Sequence, residues 1–141
     1  MNNNLFELER TNIMVEFNIY GDCFNPDEIT QRLNITPTMT WKKGDLVRDK
    51  NFSRPNSLWR IGTGYVESLD IKNQLDEILN VITDKKNSLL ELKNILDIKY
   101  DVCIIINIYN NETPGLYLDA ETISIINSIG ASIDFDLYLN N

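Results

Sequence analysis

The chain has 141 residues, 43% apolar and 24% charged, a size and balance suited to one domain with its own core; no run approaches the roughly 18 apolar residues of a membrane span. It contains no histidine, which removes the usual general base, the commonest zinc ligand and every histidine-containing triad. A formal net charge of -8 opposes binding to nucleic acid or to an anionic membrane surface and favours a cationic protein partner.

Residues 1–12 read as an N-terminal tail lacking the basic flank and apolar run of a secretory signal, so a cytoplasmic location is expected. A single α+β domain is expected over residues 13–141. Ile13, Val15, Phe17 and Ile19 alternate with Met14, Glu16, Asn18 and Tyr20, the pattern of a half-buried strand. A short helix follows to about Asn34, started by Asn25 as cap, Pro26 at the first turn and Glu28 positioned to close a capping box.

Residues 36–57 carry Pro37, Gly44 and Pro55 and read mostly as loop, basic through Lys42, Lys43, Arg48, Lys50 and Arg54. Residues 57–61 form a strand with Trp59 and Ile61 on one face and Leu58 and Arg60 on the other. After Ser68, Ile71, Leu75, Ile78, Leu79 and Ile82 have helical spacing. A polar break over residues 84–87 separates them from a second helix, with Ser88 and Glu91 at capping-box spacing and a stripe of Leu89, Leu92 and Leu96.

Residues 102–109 are the most apolar strand, placing Val102, Ile104, Ile106 and Ile108 on one face and Cys103, Ile105, Asn107 and Tyr109 on the other. A short edge strand is expected at residues 116–118. Asp119 then caps a helix bearing Ile123, Ile126 and Ile129, which Gly130 ends. In the last strand Ile133, Phe135, Leu137 and Leu139 alternate with Asp134, Asp136 and Tyr138. The elements predict a mixed, largely antiparallel sheet of four to five strands with helices packed on one face.

Strand parity puts Glu16, Asn18, Tyr20, Asn107, Tyr109, Asp134, Asp136 and Tyr138, with Arg60 beside them, on the face away from the helices. Tyrosines beside carboxylates suit a protein-binding face, and the same pattern also describes an ordinary solvated sheet. Asp134 and Asp136 project together, but two exposed carboxylates supply neither a hard cation's oxygen shell nor a glycosidase cleft, so no metal and no catalytic residue is expected. No cofactor is expected either: Gly62-Thr63-Gly64 is no phosphate motif.

The second candidate site is Trp41, Lys43, Asp45, Trp59 and Arg60, where cations beside aromatic rings could hold an anionic small molecule or support weak catalysis. The alternative is that both tryptophans anchor a long loop to the core while the lysines stay in water. Cys23 and Cys103 lack the close spacing of metal or redox pairs and read as small core residues.

Residues 15–22 (VEFNIYGD), the helix start Pro26-Asp27-Glu28-Ile29, Thr36-Pro37-Thr38 leading to Trp41-Lys42-Lys43-Gly44-Asp45, residues 57–61 (SLWRI) and residues 130–138 (GASIDFDLY) form an ordered set. Together they resemble the bacterial family called domain of unknown function 4279, over roughly residues 13–139. The resemblance implies a small standalone protein and carries over no catalytic residue. Size, acidity and the missing catalytic set are also those of small immunity proteins, which neutralise a bacterial toxin by covering its active surface. The expectation is therefore a non-enzymatic binding protein with a basic partner, as a monomer or homodimer.

Overall fold

The computed structural model describes residues 9–140, so the expected tail lies outside the described residues except for its last four. The order is β1 (Asn12–Gly21), α1 (Pro26–Leu33), β2 (Met39–Trp41), β3 (Ser57–Gly62), β4 (Val66–Glu67), α2 (Lys72–Asp84), α3 (Lys86–Ile95), β5 (Lys99–Tyr109), α4 (Ala120–Ser128) and β6 (Ala131–Asn140). The strands form one six-stranded sheet in the order β2-β3-β1-β5-β6, with β4 also paired to β1. Every pairing is antiparallel except β5 with β6, which α4 connects. The α+β class therefore holds, with one strand more than expected. β2 and β4 have three and two residues, too short for alternation to reveal them.

One sheet face carries the core. Val15, Ile104 and Phe135 lie side by side across β1, β5 and β6, as do Ile61, Phe17, Val102 and Ile133 in the next row. Ile29, Leu33, Leu75, Ile78, Ile82, Leu89, Leu92, Ile126 and Ile129 of the helical layer join them in a single cluster. The Tyr100 hydroxyl donates to the Leu89 carbonyl at 2.6 Å, tying α3 to β5. A Cβ at Gly21 would lie 2.6 Å from the Asp97 carbonyl oxygen, so glycine alone fits where β1 passes the connection between α3 and β5.

Several local expectations are corrected. β1 begins at Asn12, and Thr11, assigned to the tail, is buried with its hydroxyl donating to the Glu112 carbonyl at 2.6 Å. Glu28 closes no capping box; its carboxylate faces Arg32 at 3.7 Å, while Asn25 alone caps through Oδ1, accepting from the Asp27 N–H at 3.1 Å. Only Lys85 separates α2 from α3, so Ser88 lies inside a helix that starts without a side-chain cap. Residues 116–118 form no strand; Gly115 makes an isolated bridge to Asp70 instead. Ile123 faces outward at 51% exposure, and Cys23 is exposed whereas Cys103 is buried.

α1 holds Thr30 against the core, where its Oγ1 accepts from the Trp59 ring N–H at 3.0 Å. Asn25→Ala removes the helix cap and is expected to cost about 1 kcal/mol of stability, seen as a lower urea midpoint with an unchanged slope. An unaltered midpoint would show that the packing of Pro26, Ile29 and Leu33 holds the helix without it.

Candidate functional site

The side chains that alternate away from the core emerge on the other sheet face, and register sets their neighbours. Met39, Arg60, Asn18, Asp101 and Ser132 lie in one row across β2, β3, β1, β5 and β6. Glu16, Cys103 and Asp134 make the next, followed by Met14, Ile105 and Asp136, then Asn12, Asn107 and Tyr138. The expected face thus exists with the expected parity. It is not uniformly polar, because Met14, Leu58 and Ile105 share it.

Arg60 organises the centre. Its Nε lies 2.7 Å from Asn18 Oδ1 and 3.3 Å from Glu16 Oε2, and Asn18 Nδ2 donates onward to Asp101 Oδ1 at 2.9 Å. These contacts and the flanking strands leave Glu16 and Asn18 only 8% and 6% exposed, so they cannot be first contacts for a partner. Asp134 is exposed and Asp136 half-buried at the β6 edge, where Asp136 Oδ2 accepts from the Cys103 thiol at 3.5 Å. Tyr20 lies at the Lys99 end of the face, whereas Tyr109 and Tyr138 lie at the far end near Asn107 and Asn140. The tyrosines bracket the acidic centre rather than clustering with it.

Burial raises the carboxyl groups of both Glu16 and Asp101 above their ordinary values, against the pull of Arg60. For Asp101 the Asn18 hydrogen bond opposes the rise, while Asp134 and Asp136 add to it. Burial also pushes the Cys103 thiol up to about 12, helped by Asp136. Cys103 Sγ and carboxylate oxygens of Asp134 and Asp136 lie within 4.8 Å of one another. A thiol held protonated is a poor nucleophile, and the two carboxylates beside it give this edge of the face an anionic character.

A carboxyl raised in the folded state contributes full stability below its ordinary value, 4.5 for Glu16 and 3.8 for Asp101, and loses it as pH rises through the folded value. Glu112, lowered by Arg10, and Asp119, lowered by the Thr122 N–H, have the opposite sign and act only below those values. Through these two groups the protein is therefore expected to lose stability as pH rises above 4.5, and Glu16→Gln to flatten that slope. Urea midpoints over that rise test this; a slope that survives Glu16→Gln would assign it to other groups.

The second candidate site assembles only in part: Trp41 and Arg60 share the open face, and Trp59 does not join them. Trp59 is fully buried on the helical face, opposite Trp41 and Arg60. Trp41 lies on the open face with the Arg54 guanidinium 3.8 Å from its ring centre and that of Arg60 at 5.8 Å, its N–H donating to Asn56 Oδ1 at 3.4 Å. Lys43 pairs with Asp22 at 2.9 Å, and Asp45 Oδ2 accepts from the Lys42 backbone N–H at 2.8 Å. Backbone bonds between Gly44 and Arg54 and between Val47 and Phe52 make the expected loop a folded hairpin. These residues fix the hairpin to the sheet.

Asp101 lies outside the strand expected from Val102 and so is absent from the expected face, although β5 begins at Lys99. The signal was present: Tyr100 and Asp101 continue the alternation of inward apolar and outward polar residues.

A family model described as Domain of unknown function (DUF4279) matches residues 10–140. No curated protein and no solved structure matches the chain. No helix among the described residues is long and apolar enough to cross a membrane.

Proposed function

The chain belongs to the family described as Domain of unknown function (DUF4279), and on that premise we propose that it is a non-enzymatic binding protein whose open sheet face receives a basic protein surface. In this reading it acts as an immunity protein, neutralising a bacterial toxin by covering a cationic functional surface. The observation that carries the proposal is the set of unpaired carboxylates toward the β6 side of that face, apart from its cations Arg54, Arg60 and Lys99. Glu16 and Asp101 lie near Arg60, Asp134 and Asp136 lie beyond them on the β6 edge, and among the described residues Asp101, Asp134 and Asp136 form no ion pair. Lysine or arginine from a partner would supply the missing counter-charge and relieve repulsion among these groups.

Support for a binding rather than a catalytic role is chemical. The chain has no histidine, and its buried thiol sits beside carboxylates that oppose thiolate formation. Tyr20, Tyr109 and Tyr138 provide contact area around the acidic centre at small entropic cost.

Capture from the native host with the intact protein as bait tests the proposal. The expected result is a basic protein retained at low ionic strength and released by salt. Retention that is indifferent to salt, or of acidic proteins alone, would overturn it.

A further inference from the structure

β6 is a ten-residue edge strand, ASIDFDLYLN, paired to β5 in unbroken register from Ala131 to Asn140. No described residue pairs with its outer edge. Natural edge strands are guarded by proline, lysine, a bulge or brevity. β6 has none of these and its only charged side chains are Asp134 and Asp136, leaving residues 137–140 without a charge, whereas β2 at the opposite edge has only three residues. Leu137, Tyr138 and Leu139 at its end are 51%, 55% and 81% exposed.

We propose that β6 pairs antiparallel with β6 of a second copy about a two-fold axis at Leu137, joining two five-strand paths into one continuous sheet. The side chains themselves select this register. Residues directly opposite in an antiparallel pair share a sheet face, which restricts the axis to a residue rather than a gap between residues. An axis at Phe135 sets Asp134 against Asp136 of the other copy, and an axis at Asp136 sets that carboxylate against itself. An axis at Tyr138 pairs only residues 136–140. Centred on Leu137, the strands set Leu137 against its own copy, Phe135 against Leu139, Asp136 against Tyr138 and Asp134 against Asn140. Every carboxylate then faces a neutral polar side chain, and the exposed leucines are covered. The chain's net charge of -8 opposes association, so the dimer strengthens as salt rises, opposite to the salt response of the basic-partner site.

Sedimentation equilibrium over a range of protein and salt concentrations reads the association directly. Leu137→Lys places two ammonium groups at the axis and is expected to weaken the dimer at least about tenfold, while Leu46→Lys on the remote hairpin leaves it unchanged. Tyr138→Lys places a cation opposite each Asp136 and is expected to tighten the dimer roughly threefold or more at low salt. Circular dichroism confirms that the variants fold. A monomer up to about 1 mM at both low and high salt overturns the proposal. So does a dimer indifferent to Leu137→Lys, and weakening by Tyr138→Lys overturns the register.

Discussion

Replacing Asp134 and Asp136 together by lysine is expected to weaken capture of a basic partner by more than about tenfold at low ionic strength, with the loss shrinking as salt is added. These two residues are chosen because they are the accessible part of the acidic face. Glu16 is shielded by its neighbours and already engaged by Arg60, whereas Asp134 is exposed and Asp136 half-buried at the β6 edge. Their reversal converts attraction to repulsion at the point of first approach, so both encounter rate and lifetime should fall. A change in net charge alone would also slow encounter, so Glu77→Lys with Glu91→Lys, on the helical side, serves as an equal-charge control. That control should change affinity by less than about threefold. Equal losses in the two double variants would reduce the effect to net charge, and unchanged affinity after reversal at Asp134 and Asp136 would remove the sheet face from consideration.

The outline of this face was legible because β1 and β5 are ten and eleven residues long and alternate over most of that length, despite Met14 and Ile105 on the polar side, and parity is all that a half-buried strand requires. Register was not. Nothing local to Arg60 announces that it will lie opposite Asn18 and within reach of Glu16; that follows from how β3 slides along β1, fixed by rows such as Trp59 with Ile19. The same limit explains the second candidate site. Trp41 and Trp59 are near in sequence and both aromatic, but β2 and β3 present them to opposite faces, so composition suggested a cluster that pleating divides. Short strands and unpaired caps failed for a simpler reason: two or three residues carry too little pattern, and Ser88 with Glu91 has capping-box spacing inside a helix whose start is set by packing of Leu89 and Leu92.

Arg60→Leu is expected to destabilise the protein by about 2 kcal/mol near neutral pH, between the near-zero worth of exposed ion pairs and the 3–5 kcal/mol of a broken buried one. The pair belongs between those limits because the Arg60 and Glu16 side chains are 23% and 11% exposed. A stability of roughly 5–15 kcal/mol leaves such a variant folded and measurable. Leucine removes the counter-charge 3.3 Å from Glu16 Oε2 and the donor 2.7 Å from Asn18 Oδ1, leaving a carboxylate under cover with burial and the charges of Asp101 and Asp136 acting on it. Its folded value, already above the ordinary 4.5, rises further. In that window the folded state holds a proton that the unfolded state has released, so stability falls as pH climbs and the penalty is complete above it. Below 4.5 both states are protonated and the penalty reduces to the lost Asn18 contact, about 1 kcal/mol. Adding Glu16→Gln to Arg60→Leu should recover the Glu16 share of the pH-dependent part, leaving the share carried by Asp101, on which Arg60 also acts. Equal destabilisation at about pH 4.5 and pH 8 would mean that Arg60 acts through packing against Trp41 and Met39, and that the charges at the centre of the face are not coupled through it.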